Sequence, residues 1–212
     1  MSNRIAFFAG SSDLTEQFGL SETGDAIFEP HYNIARGHHI PVISGSSESY
    51  KIGRARWGSD FEQDADIPGV QDEKGLKDLS KKADHRVIIP LSGFYIWKRE
   101  GKEDHPFFVR KIDNSLLYSP GFSFSDPKND FTYVEILMMG SNTLIRPITD
   151  EMPLIVKVGL AKNWLNGRVD PAEIVKEAEN QFLITDLTVH RVSKELNDLS
   201  KNDASLIQPI PK

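Results

Sequence analysis

The sequence predicts a strand-rich α+β domain with a mostly antiparallel sheet and short helices at its edges. Three observations predict it. The longest apolar run, Arg86 to Ile112, is rich in β-branched and aromatic residues and turns back on itself around Gly101. Shorter apolar runs recur along the chain between turn-forming residues. Only brief stretches carry the caps and spacing of a helix. With no linker, repeat, low-complexity tract or heptad pattern, one domain over residues 1–212 is expected.

Taken in order, Arg4 to Ala9 reads as a first strand, and Ser12 to Leu20 as a short helix with Ser12 or Thr15 as its N-cap. His31 to Gly37 reads as a loop entering a strand over His39 to Ile43. Arg54 to Gly58 is a short extended piece. Ser59 to Asp84 is polar and charged, which predicts a loop and one short helix. Val87 to Trp97 reads as one long strand kinked at Pro90 and Gly93. Lys98 to His105 makes the reversal, and the return strand begins at Pro106, since proline suits a strand's first residue. Ser115 to Phe122, Phe131 to Gly140 and Met152 to Val156 are further strands. Leu160 to Leu165 and Pro171 to Asn180 are short surface helices, the second capped by Asp170 with Pro171 at N1. Leu183 to Val192 alternates as a last strand.

The totals exclude several classes. No apolar run approaches the roughly 20 residues of a membrane helix, and no signal-peptide pattern is present, so a cytoplasmic protein without membrane contact is expected. The chain has no cysteine, which rules out disulfides and thiolate metal sites. Its 25 basic and 31 acidic residues give a net charge of −6, unfavourable to broad electrostatic binding of nucleic acid. The six histidines, at 31, 38, 39, 85, 105 and 190, lack metal-site spacing with carboxylates. No metal or cofactor is expected, and no dinucleotide fingerprint, P-loop or nucleophile elbow occurs.

One pattern remains. Met1, Ser2, Asn3 and Arg4 open the chain. Tyr32-Asn33-Ile34-Ala35, Trp57-Gly58, Arg86 to Trp97 with its Gly-Phe-Tyr-x-Trp core, and Pro106-Phe107-Phe108 follow. Met152-Pro153-Leu154 and the segment from Val192 to Ile210 complete it. In this order and spacing the motifs resemble the SOS-response-associated peptidase (SRAP) family, single-domain proteins that capture abasic sites in single-stranded DNA. The resemblance spans nearly the whole chain. It implies a strand-rich fold with a bifurcated sheet curled into a pseudo-barrel.

The departures fall where the family keeps its reactive groups. Family members begin Met-Cys-Gly-Arg, and the cysteine exposed by methionine removal closes a thiazolidine on the sugar aldehyde. Here the residue is Ser2, whose hydroxyl is hardly ionised near neutral pH. The family's Gly-x-x-Glu-Trp glutamate is replaced by Ile96, which moves no proton. In the family's His-x-Arg-Met-Pro, Thr149 stands for the histidine and Glu151 for a DNA-contacting arginine. The window from Ser59 to Leu79 lacks the family's Asn-x-Arg and its tryptophans, leaving Phe61 for base stacking. Arg4, Asn33, Trp57, Arg86, Trp97 and His190 survive. Arg4 and Asn33 are the foremost candidates for a retained pocket, while Trp57 and Trp97 suit a core and His190 a structural bond equally well.

The resemblance therefore implies a monomeric binding module related to abasic-site sensing, which holds single-stranded DNA weakly and does not crosslink through a thiazolidine. Its contacts would be Arg4, Asn33, Trp57, Phe61 and Glu151. The alternative is a member whose processed Ser2 α-amine forms a Schiff base with the abasic aldehyde.

Overall fold

The computed structural model describes residues 4–20, 28–58, 73–126, 131–181 and 186–210. In chain order the strands are β1 (Arg4–Phe7), β2 (His31–Ala35), β3 (His39–Ser46), β4 (Ser49–Trp57), β5 (His85–Leu91), β6 (Gly93–Glu100), β7 (Glu103–Lys111), β8 (Leu117–Asp126), β9 (Phe131–Ile136), β10 (Met138–Gly140), β11 (Glu151–Pro153) and β12 (Leu187–Arg191). The helices are α1 (Ser11–Phe18), α2 (Glu73–Lys82), α3 (Val158–Leu165) and α4 (Ile174–Asn180). The fold is strand-rich α+β, as the sequence predicts.

Five strands close a ring in the order β3-β4-β9-β8-β5. A second sheet runs β12-β7-β6-β1-β2, and β10 with β11 forms a separate ribbon. Pairing is antiparallel except between β4 and β9, where Arg56 lies across from Tyr133. The expected long kinked strand is in fact two strands in different sheets. The chain leaves the ring at Leu91 and enters the second sheet at Gly93. Ser92 holds the crossing: its N–H donates to Ala6 O at 2.9 Å and its Oγ accepts from Phe8 N at 2.8 Å. Gly93 is required there, because a Cβ would lie 2.3 Å from the Phe108 ring.

The hairpin reversal is tighter than expected, with Gly101 and Lys102 between Glu100 and its cross-strand partner Glu103. Pro106 sits inside β7 rather than at its start. It is tolerated because β12 ends at Arg191, opposite Phe107, so no ladder bond is due to the nitrogen of Pro106. Its carbonyl still accepts from Val192 N at 3.0 Å.

Three more expectations are corrected. His31 to Ala35 is a strand, because Ile34 and Ala35 find partners on β1 that no local pattern reveals. Gly10 caps α1, its N–H donating to the Asp13 carboxylate at 3.1 Å. Helix α3 is no surface helix: Leu160, Ala161, Trp164 and Leu165 are buried. The Trp164 indole N–H donates to Val87 O and Gly121 O at 3.1 and 3.3 Å, both on ring strands, and Phe122 meets its ring edge-on.

The second sheet has two unlike faces, because side chains alternate along each strand. Ile5, Ile34, Phe94, Ile96 and Val109 join the large core shared with the ring. Ala6, Tyr95 and Phe108 face the other way and are covered by Val192, Leu196 and Leu206 from the C-terminal segment. Two short 3-10 turns, Lys194–Asn197 and Ala204–Ile207, carry that cover.

Candidate functional site

Arg4 is the first residue of β1 and lies across from Ala35 on one side and Tyr95 on the other. Its Nη1 donates to Asn33 Oδ1 at 2.6 Å and to Leu196 O at 3.1 Å. Asn33 is fully buried. Its Nδ2 hydrogens are shared among the carbonyls of Leu196, Asp198 and Lys201 at 3.2, 3.0 and 3.1 Å. Asn33 thus fastens the C-terminal cover to β2 and aims the Arg4 guanidinium. The Tyr95 hydroxyl, donating to Tyr32 O at 2.5 Å, braces the same corner. Burial lowers the pKa of Arg4, and burial pushes the Tyr95 phenol well above its usual range, with Arg4 opposing. Arg4 remains a cation at every ordinary pH.

Two imidazoles stand beside this corner. The rings of His31 and His38 are 5.4 Å apart between centroids. The N–H of Asn33 donates to His31 Nδ1 at 3.2 Å, and that of Ala35 approaches His38 Nδ1 at 3.5 Å. Those bonds leave the proton of each neutral ring on Nε2. Both pKa values are lowered, first by burial; His38 adds repulsion at His31, and Arg4 and then His39 add it at His38. The corner therefore gathers one permanent cation and two imidazoles whose pKa values are lowered mainly by burial.

The structure does not bring the remaining predicted residues to Arg4. Ile96 is 1% exposed and belongs to the large core, on the face of β6 opposite Tyr95 and Arg4. Thr149 is half-buried at the end of a turn, its N–H donating to Ile145 O at 3.2 Å. Glu151 opens β11 across from Gly140. Trp57 is buried in the core rather than presented for stacking. Ser2 and Phe61 lie outside the described residues. Arg86 and His190 are also occupied. The Arg86 Nη1 donates to Val169 O at 2.6 Å, with its guanidinium 4.6 Å from the Trp164 ring centre, and His190 Nε2 bonds Ile207 O at 2.8 Å.

Sequence reasoning passed over Arg36 and Glu135. They form a bidentate pair at 2.7 Å for both contacts, with Glu135 only 1% exposed. The pair ties the turn after β2 to the ring and accounts for Trp57-Gly58. Gly58 has φ 87°, and a Cβ there would lie 2.8 Å from Arg36. Only the arginine immediately after the Tyr-Asn-Ile-Ala motif hinted at it.

A ring of strands beside a second, mostly antiparallel sheet defines a class of α+β fold that solved structures also show. A protein from Bacteroides thetaiotaomicron has this fold, with a TM-score of 0.76 and 18% identity over 98% of this chain and 99% of its own. The family match covers residues 1–199, and the chain belongs to the SRAP family, SOS response associated peptidase. Among its relatives is the abasic site processing protein YoqW of Bacillus subtilis, 25% identical over 228 residues, covering 98% of this chain and 99% of that protein. The abasic site processing protein YoaM of the same organism is 24% identical over 229 residues, covering 98% and 97%. Among the described residues no helix is long and apolar enough to cross a membrane.

Proposed function

We propose that this chain takes part in the abasic-site branch of the DNA damage response as a single-domain, monomeric module that recognises single-stranded DNA without sealing a thiazolidine on it. The observation carrying this reading is the environment of Ile96. At the position where the family resemblance calls for a glutamate, the side chain is buried in the core the sheet shares with the ring. A carboxylate there would be desolvated and on the face of β6 turned away from Arg4. Thr149 brings no imidazole and Ser2 no thiol. The capacities left are a cation held in place by Asn33 and two neutral imidazoles. They suit a phosphate next to a damaged sugar, whose arrival would raise the imidazole pKa values and draw protons in. Glu151 and the net charge of −6 hold the affinity down.

The test is incubation with an oligonucleotide containing one abasic site, read on a denaturing gel and by intact mass, with and without borohydride. No adduct is expected without reductant. A heat-stable adduct formed without reductant overturns the reading. An adduct found only after reduction assigns the chemistry to a Schiff base on the Ser2 α-amine instead.

A further inference from the structure

A cavity of about 410 Å³ opens between the β10–β11 ribbon and the C-terminal end of α4, and Arg4, Ile96, Thr149 and Glu151 do not line it. The volume lies within the range of small-molecule sites, about 300–1,000 Å³. Its inner wall is apolar, with Met139 and Met152 paired across the ribbon and Ile155 and Leu187 beside them. Alternation along β11 turns Glu151 to the opposite side of the ribbon from Met152. The Glu151 side chain therefore faces away from the cavity, although its cross-ribbon neighbour Gly140 lines it.

Ser141 lines the cavity at 2% exposure, and its Oγ has no hydrogen-bond partner among the described residues. The backbone around that hydroxyl is fixed. Ser141 N donates to Asp150 O at 2.9 Å, and Ser141 O accepts from Arg146 Nη2 at 3.2 Å. A buried hydroxyl without a partner is unfavourable, so a turn of the Ser141 side chain that brings Oγ to a ligand oxygen at the cavity wall is favoured. Two exposed groups of opposite charge, Arg146 and Glu179, also line the cavity. A simple anion would meet Glu179 and a simple cation would meet Arg146. A molecule with both charges and an apolar body meets neither penalty.

We propose that this cavity binds a free α-amino acid with an apolar side chain. The carboxylate lies on Arg146 and Ser141 Oγ, the ammonium on Glu179, and the side chain on the wall of Met139, Met152, Ile155 and Leu187. A nucleic-acid strand is disfavoured there because Glu179 repels phosphate.

The test titrates the full chain with L-leucine, L-methionine and L-phenylalanine by calorimetry, and follows amide shifts by NMR. Two companions of leucine keep its carbon skeleton: 4-methylpentanoate lacks the amine and 3-methylbutylamine lacks the carboxylate. At least one amino acid is expected to saturate, with shifts centred on residues 139–155 and 178–187. Removing either charge from leucine, or the substitution Arg146→Gln, is expected to weaken binding about tenfold or more. Arg146 is exposed but bonds Ser141 O, so the variant is expected to melt within a few degrees of the parent, and binding is compared at a temperature where both are folded. Absence of saturation by all three amino acids at about 10 mM overturns the proposal, being weaker than any useful site. So does equal binding of 4-methylpentanoate and leucine, or an Arg146→Gln variant with parental affinity.

Discussion

On the face of the second sheet turned away from the ring, Arg4, Asn33, Tyr95 and His190 each commit side-chain polar atoms to main-chain carbonyls of distant segments. On the face turned toward the ring, Ile5, Ile34, Phe94, Ile96 and Val109 bring only apolar packing. Three of the four polar anchors belong to the motifs by which the sequence resembles its family, Tyr95 within the Gly-Phe-Tyr-x-Trp core included. The exchanged glutamate position, Ile96, lies on the apolar face. Of the motif residues this chain keeps, Arg4 and Asn33 hold the C-terminal cover and Tyr95 braces β2, so a motif match by itself speaks for the scaffold before it speaks for chemistry.

A carboxylate on the apolar face should have the largest effect. Ile96→Glu is expected to cost about 3 kcal/mol or more, because the new group replaces a 1% exposed side chain in the apolar core. Urea denaturation checks it. An Ile96→Glu variant as stable as the parent, or one that gains crosslinking to abasic DNA, would show the face to be open to catalysis. On the anchored face, Asn33→Ala removes three carbonyl partners and the aim of Arg4, which is expected to cost about 2 kcal/mol. Limited proteolysis should then cut first within residues 194–207, and protection of that segment would contradict the lock.

The imidazoles offer a smaller contrast. The folded pKa values of His31 and His38 lie below the ordinary 6.5, so the unfolded chain takes up protons first as pH falls. Stability is fully present above pH 6.5 and is lost as pH drops from there toward the lowered folded values. Urea midpoints measured at pH 7.5 and 5.5 should fall in the parent and fall less in the His31→Gln, His38→Gln double variant. Smallest are the effects on DNA. Arg4→Ala should weaken binding of a labelled single strand a few-fold, whereas Glu151→Arg should strengthen it and steepen the logarithmic salt dependence by about 0.7. Fluorescence anisotropy at two salt concentrations reads both, and parental affinity in both variants would place the strand elsewhere.

Much of the strand content could be read directly, since β6, β7 and β9 announce themselves through aromatic and β-branched runs. What local pattern could not give is which sheet a strand joins. The change of sheet at Ser92 depends on Ala6 and Phe8, more than eighty residues earlier. The burial of α3 depends on Val87 and Gly121 accepting from Trp164. At the candidate site the identities of Arg4 and Asn33 were legible, and their mutual bond was not. The His31 and His38 pair was hidden because a strand, read as a loop, separates the two rings in sequence. The cavity beside Ser141 arises from residues spread over nearly fifty positions, and no spacing rule collects them.

The Asn33 lock also has a bearing on synthesis. Ala6, Tyr95 and Phe108 are all made by the time residue 109 is translated, yet Val192, Leu196 and Leu206, which cover them, come almost a hundred residues later. At ordinary elongation rates the gap lasts roughly 5–20 s. During that interval the nascent chain exposes an aromatic sheet face beside an asparagine whose three carbonyl partners do not yet exist. Until residues 192–206 follow, that face has no cover from its own chain, and the order of synthesis makes it the last part of the sheet to be sealed.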